Sequence, residues 1–177
     1  MINDYIKSLP TVTVKGEQRK FINGVGFGLD GYCCEVADLL KSQHKNPNYI
    51  AIEIKGVLFH FKPVNATVVV DGRTYHFKKV WIAPTMFGRF YGSGIMPTPN
   101  QNRNATDKKV SFMAFHDAGK FKLLTMLPSS FMGKHVKYKN SVTIIEGKNI
   151  TVTFDSPASL QIDGETVLDV TGYNVTV

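Results

Sequence analysis

Ala66-Thr67-Val68-Val69-Val70-Asp71-Gly72-Arg73-Thr74-Tyr75-His76-Phe77 is the stretch that decides the fold. Two runs rich in β-branched and aromatic residues flank an Asp-Gly pair. That pair readily takes positive φ at both central positions of a two-residue turn, whose twist matches that of paired strands. Leu160-Gln161-Ile162-Asp163-Gly164-Glu165-Thr166-Val167-Leu168 repeats the pattern near the carboxyl end. Outward from these hairpins, Tyr49 to Lys55 alternates Ile50, Ile52 and Ile54 with other residues. Lys79 to Ala83, Lys109 to Phe115, Phe121 to Met126, Lys134 to Ile145, Asn149 to Phe154, Ser159 to Ile162 and Thr166 to Val170 also read as strands. Only Tyr32 to Gln43 reads as a helix: Cys33, Val36, Ala37 and Leu40 fall near one face, and Asn46-Pro47 follows as a breaker. Strands joined by tight turns, without strand–helix alternation, predict a mainly β chain. The expected fold is an antiparallel β-sandwich with one early α-helix, as a single domain over residues 1–177.

Composition sets further bounds. The 177 residues include 21 Lys+Arg against 14 Asp+Glu, a formal charge of +7, and 43% are apolar, enough for a packed core. Cys33 and Cys34 are adjacent, which suits neither an unstrained disulfide nor a zinc site. Free thiols predict a reducing compartment and a cytoplasmic protein. No stretch approaches the ~18 apolar residues of a membrane span. Basic groups such as Lys134-His135-Val136-Lys137-Tyr138-Lys139 read first as a solvated edge strand, with His135, Lys137 and Lys139 on one face. They also suit an anionic membrane surface. Nucleic acid is not expected, because no ribonucleoprotein-type aromatic motif accompanies the charge.

Two motifs carry possible chemistry. Gly26-Phe27-Gly28-Leu29-Asp30-Gly31 satisfies G-x-G-x-x-G, with Glu53 about the right distance downstream for a dinucleotide site. That chemistry requires a parallel βαβ unit, which the hairpins deny. The glycines are better explained by close strand packing and positive φ before the helix. Asp163-Gly164-Glu165 is either a hairpin turn or a turn that presents two carboxylates, one able to accept a hydroxyl proton. Spacing does not separate these two. The longest irregular segment, Gly92 to Asp107, has the length of a functional or mobile loop. No P-loop, H-E-x-x-H or G-x-S-x-G motif occurs.

Taken in order, Phe21-Ile22-Asn23-Gly24-Val25-Gly26-Phe27-Gly28-Leu29-Asp30, then Tyr91-Gly92-Ser93-Gly94-Ile95-Met96-Pro97, then Asp163-Gly164-Glu165 resemble the F-x-N-x-x-G-x-G-x-D, G-G-G-M-x-x-x-P and D-G-E motifs of the diacylglycerol kinase and sphingosine kinase superfamily, in its bacterial lipid kinase branch. The resemblance implies the carboxy-terminal, substrate-side domain of an ATP-dependent lipid kinase. Asp163 would be the general base and Glu165 its acidic companion. Gly92 and Gly94 would belong to the cofactor side, Asp30 to an acidic network around a structural Mg²⁺, and Asp107 to a metal-binding segment. In that segment Lys108 and Ser111 stand where the family carries glycine and a second aspartate. The family's amino-terminal nucleotide-binding domain, with its G-G-D-G-T loop, has no counterpart in the chain. ATP and Mg²⁺ would therefore belong to the intact kinase, and the chain alone is expected to be inactive. The implied partners are a lipid substrate such as diacylglycerol, an anionic membrane surface for a protein peripheral to it, and the nucleotide-binding domain. The rival expectation is a non-catalytic lipid-binding β-sandwich.

Overall fold

The computed structural model describes residues 2–92 and 94–177, with side chains from Tyr5 onward. Ser93, the middle residue of the Gly92-Ser93-Gly94 motif, lies outside the described residues. The Asp-Gly turns form as their chemistry dictates. Asp71 (φ +47°) and Gly72 (φ +85°) join β4 (Val64–Val70) to β5 (Arg73–Val80), and Asp163 (φ +49°) and Gly164 (φ +93°) join β9 (Asn149–Ile162) to β10 (Glu165–Thr176). A third turn of this kind, Lys15-Gly16, joins β1 (Thr11–Val14) to β2 (Glu17–Lys20).

The remaining strands are β3 (Gly24–Gly28), β6 (Ile82–Met86), β7 (Val110–Phe115) and β8 (Val142–Gly147). All pairings are antiparallel, in the order β2-β1-β10-β9-β3-β6-β7-β8, with β4 and β5 branching from β9. The branch point is β9 itself. Its first part, Ile150 to Phe154, pairs with β4, and its last part, Leu160 to Ile162, pairs with β3. The two predicted strands Asn149 to Phe154 and Ser159 to Ile162 are thus one 14-residue strand. Pro157 sits in the gap between the two pairings, where its missing N–H leaves no ladder bond unmade.

Splitting β9 lets the sheet fold over itself into an open sandwich around Val12, Phe21, Val25, Phe27, Val68, Phe112, Ile150, Val152 and Leu160. Strands β6 and β7 are buried on both faces. In β7, Phe112 and Ala114 face this core, while Met113 and Phe115 face a second one capped by helices.

The structure corrects the expectation of one helix. The early helix, α2, spans Leu29–Ser42 and follows a short amino-terminal helix, α1 (Ile2–Lys7). Tyr49 to Lys55, expected as a strand, is α3 (Tyr49–Lys55), continued by a π turn over Gly56–His60. Asn48 caps it by accepting the Ala51 N–H (3.1 Å), and of the three alternating isoleucines only Ile52 is buried. Phe121 to Met126 is also helical, within α4 (Lys120–Ser130). Its buried residues Leu123, Met126 and Ser130 follow helical spacing. Lys134 to Ile145 divides into a 3₁₀ turn (Lys134–Lys137) and β8. His135 does not share a solvated face with lysines: it is fully buried against Phe115, and its Nε2 is 2.8 Å from the Pro97 carbonyl. Among the described residues no helix is long and apolar enough to cross a membrane.

Helix α2 packs directly on the backbone of β9. A Cβ on Gly31 would lie 1.9 Å from the Ser159 carbonyl oxygen, and a main-chain atom there has little room to yield. Gly31→Ala is therefore expected to destabilise the chain by about 2–3 kcal/mol, read as a lowered urea midpoint at unchanged slope. Gly72→Ala, where no atom lies within 4 Å of the added Cβ, should cost about 1 kcal/mol through its positive φ alone.

Candidate functional site

The glycine motif is structural. β3 runs antiparallel to both β6 and β9, so among the described residues β3 and α2 do not form the parallel βαβ unit that holds a pyrophosphate. Gly28 (φ +88°) turns the chain into α2. Gly26 leaves room for a side chain: a Cβ there would fall 1.5 Å from Asp30 Oδ2. The Asp30 carboxylate thus lies against the bare backbone of β3. Gln161 Nε2 donates to it (3.0 Å), and the Gly164 N–H donates to Gln161 Oε1 (2.8 Å).

Asp163 is the mechanical centre. Its carboxylate accepts three backbone N–H groups, from Ile22 (2.6 Å), Asn23 (2.9 Å) and Gly24 (2.9 Å), while its own N–H donates to the Gly24 carbonyl (2.9 Å). Asn23 in turn anchors the long loop: its Nδ2 donates to the Phe90 carbonyl (2.6 Å), and its own carbonyl accepts from Phe87 and Gly88. These bonds hold the β9–β10 tip, the entry to β3 and the start of the loop together.

Around them opens a cleft of about 550 Å³. Ile22, Ile50, Ile82, Ile95 and Phe131 supply its apolar surface. Asp30, Glu53 and Asp163 bring carboxyl groups to it, and among the described residues that line it there is no lysine or arginine. Burial pushes Asp30 up to about 6, against the hydrogen bond from Gln161. Burial and the Asp30 charge push Glu53 up to about 7. Desolvation, with Asp30 and Glu53 adding to it, holds the Tyr91 hydroxyl well above its usual range. Cys33 and Cys34 also line the cleft as thiols that burial makes hard to ionise, Cys34 up to about 12.

The structure brings together Asp163, Asp30 and Gly92 of the residues singled out from sequence. Gly94, like Gly92, takes a positive φ, in a loop closed by reciprocal main-chain bonds between Tyr91 and Ile95. Glu165 points away: it is exposed and pairs with Arg19 (3.3 Å). Asp107 lies in a different hollow, beside Lys7, Lys20 and Lys148. Its oxygens are taken by Lys148 (2.5 Å) and Lys109 (3.0 Å). Two ammonium groups at that carboxylate do not fit a bound Mg²⁺. Among the described residues no group of three or more His, Cys, Asp or Glu gathers for a metal. Tyr91 and Gln161 are not among the site residues read from sequence, and Glu53 enters there only as the acid of a dinucleotide site that this fold does not build. Had residues 49–55 been read as a helix, Tyr49 and Glu53 would have fallen on one face at i, i+4 spacing.

The raised acids fix a pH dependence. Unfolded, Asp30 and Glu53 release their protons near 3.8 and 4.5, and folded only near 6 and 7, so between these limits the folded chain binds more protons. Their contribution to stability is therefore complete below about pH 4 and declines as pH rises to about 7. Glu53→Gln should flatten that decline and be about 2 kcal/mol more stable than the parent at pH 8, with little difference at pH 4. Urea unfolding across this range measures it.

The chain's relatives agree with this architecture. The model of the YegS C-terminal NAD kinase beta sandwich-like domain matches residues 23–175. A search of the curated proteins finds no match. Among solved structures, one from Bacillus anthracis str. Sterne named as a candidate diacylglycerol kinase aligns at 14% identity with a TM-score of 0.61, over 95% of this chain and 54% of that one. Another from the same organism, described as a diacylglycerol kinase, aligns at 13% identity with a TM-score of 0.58, over 95% of this chain and 49% of that one. At such identity the likeness is one of fold, and the chain spans about half the length of these structures. With the family match running from the entry of β3 to the end of β10, the chain belongs to the YegS C-terminal NAD kinase beta sandwich-like domain family.

Proposed function

We propose that the chain is the substrate-side domain of an ATP-dependent lipid kinase of the diacylglycerol kinase type, which transfers a phosphoryl group to a lipid hydroxyl. The observation that carries this reading is the cleft: an apolar pocket of about 550 Å³ whose rim is the Asp163 hairpin tip. Its apolar lining suits an acyl chain, and the tip suits a hydroxyl at the chain's polar end. With three carboxyl groups and no cation among its described lining residues, the cleft suits an uncharged acceptor far better than a phosphate. ATP would be held by an amino-terminal nucleotide-binding domain facing this wall. Gly92, which lines the cleft, and Gly94 after it have no atom within 4 Å of where a Cβ would stand, which leaves room for that approach. No step is assigned to a metal at Asp107, whose carboxylate is already paired with Lys109 and Lys148.

In this reading Asp163 serves twice. It holds residues 22–24 in place, and it accepts the proton of the attacking hydroxyl through a lone pair that the three N–H groups leave free. One observation favours the rival, a non-catalytic lipid-binding sandwich: both oxygens of Asp163 are already occupied by backbone donors.

The test uses the chain joined to its nucleotide-binding domain, with radiolabelled ATP, Mg²⁺ and diacylglycerol in mixed micelles. Phosphatidic acid is the expected product. Ile95→Trp, which fills the cleft, should raise KM for the lipid at least tenfold and leave KM for ATP unchanged. Asp163→Asn should lower kcat by about 100-fold or more, a size usual for loss of a general base, in protein shown to be folded at the assay temperature. No turnover by the parent, or an Asp163→Asn variant with full kcat, returns the chain to the binding-module reading.

A further inference from the structure

An apolar and basic surface begins at the mouth of the cleft and runs away from it. Tyr49 and Ile50, at the start of α3, line the cleft, yet Ile50 is itself 58% exposed. One helical turn on, Ile54 is exposed too, and the π turn that follows presents Phe59, which is 74% exposed. The start of α4 is tied to this turn, because Lys120 Nζ donates to the Leu58 carbonyl (2.6 Å). It adds Phe121, which is 82% exposed. Two phenylalanines so bare, on adjoining helical turns, are not explained by the fold: their neighbours Val57 and Leu123 already fill the helix-capped core.

The charge beside them is mostly of one sign, since the nearest acid before α4, Asp117, pairs with His116 (2.8 Å). Residues 54–62 and 118–125 contain Lys55, Lys62, Lys120 and Lys122 and no aspartate or glutamate. The nearby carboxyl group of Glu53 lines the cleft. Lys120 and Lys122 also donate within the protein, to the Leu58 carbonyl and the Ser141 hydroxyl, while Lys55 and Lys62 are exposed. Bare aromatic side chains with lysines close in sequence match a bilayer with anionic head groups, where rings enter the interface and ammonium groups stay at the phosphate level. A protein partner of ordinary interface composition would call for fewer lysines, a residue type depleted from such surfaces. We infer that the α3–π turn surface and the start of α4, through Phe59, Phe121 and the lysines beside them, dock the protein on an anionic membrane with the mouth of the cleft opening at the lipid interface. This deepens the lipid-substrate reading and rests on it for the class of partner.

The experiment is sedimentation of the purified chain with vesicles of phosphatidylcholine alone or with 30% phosphatidylglycerol, the latter a chosen composition of about one anionic lipid in three. No nucleotide is present. Binding is expected only to the anionic vesicles and should weaken at high salt. Phe59→Ser with Phe121→Ser should lower the partition coefficient about tenfold. Lys55→Glu with Lys62→Glu should lower it by at least as much, since each near-surface charge is worth about fivefold. Both pairs are exposed, so folding should survive, and circular dichroism checks it. As an independent readout, Phe59→Trp should show a blue-shifted emission on vesicle addition. Equal binding to neutral vesicles, full binding by the phenylalanine pair, or a parent dimer that the phenylalanine pair dissociates overturns the inference, the last by assigning the surface to a second copy. Vesicle binding without turnover in the kinase assay would count against the kinase reading alone. Turnover without vesicle binding would count against this surface alone.

Discussion

A single carboxylate gathers three parts of the chain that lie far apart in sequence. Asp163 grips the N–H groups of residues 22–24 across some 140 positions, and Asn23 passes the constraint on to the loop at residues 87–90. The walls of the cleft formed by the entry to β3, the β9–β10 tip and the residues after β6 meet at this knot. β3 leads from it into α2, which carries Asp30 and the two cysteines. Gln161, two residues before Asp163, orients Asp30 and is itself held by the Gly164 N–H. Hydrogen bonds to an ionised acceptor are about twice as strong as neutral ones, so a hairpin tip of two residues can fix this much structure. The glycines near the knot serve the same end, by letting a carboxylate or a neighbouring backbone come where a Cβ would stand.

The cleft runs against the grain of the molecule. A chain with a net charge of +7 keeps its lysines out of the described lining of this apolar cleft. Asp30 and Glu53 are instead packed near each other under partial burial, and both ionise only near neutrality. Maintaining such a pair lowers stability above pH 7, a cost set against the hydrogen bond that Asp30 accepts from the buried Gln161 amide. The same division of charge sorts the surface by what each face attracts. The cleft is acidic and disfavours free anions, whereas the end of α3, the π turn and the start of α4 are apolar and carry lysines.

Much of the architecture was legible because it rests on local chemistry. The Asp71-Gly72 and Asp163-Gly164 turns declare themselves through their need for positive φ, and β7 reads directly from Val110 to Phe115. The short helices did not declare themselves. Over seven residues, Ile50, Ile52 and Ile54 match a period of two as well as anything helical, and the deciding feature is Asn48, whose cap counts only once the backbone turns. Reading that segment as a strand also hides that Glu53 shares a helix face with Tyr49 at the cleft, so its spacing from the glycine motif points only to a dinucleotide site. Phe121 to Met126 failed alike, since its apolar residues are dense enough to satisfy either period. His135 was placed among lysines by alternation, although its burial against Phe115 follows from a 3₁₀ turn that alternation does not encode. The tie between Asp107 and Lys148 joins residues 41 positions apart, beyond any local pattern.

The chain also contains its own control for the question that spacing left open. Asp71 does at the other hairpin what Asp163 does at the cleft: its carboxylate accepts the N–H groups of Lys148 and Asn149, and its own N–H donates to the Asn149 carbonyl. The two turns share φ values, sequence and hydrogen-bonding logic. A turn-clamping role is therefore sufficient to explain an Asp-Gly tip in this fold, and the D-G pair alone carries no chemistry. The difference lies in the surroundings. Asp71 faces the β8–β9 turn, whereas Asp163 stands at the rim of an apolar cleft beside Asp30, Glu53 and Tyr91, whose ionisation that cleft disturbs. What sets Asp163 apart is therefore the set of groups assembled around a common structural device. The same reasoning separates Asp163 from Glu165, which shares its motif but spends its charge on Arg19 in solvent.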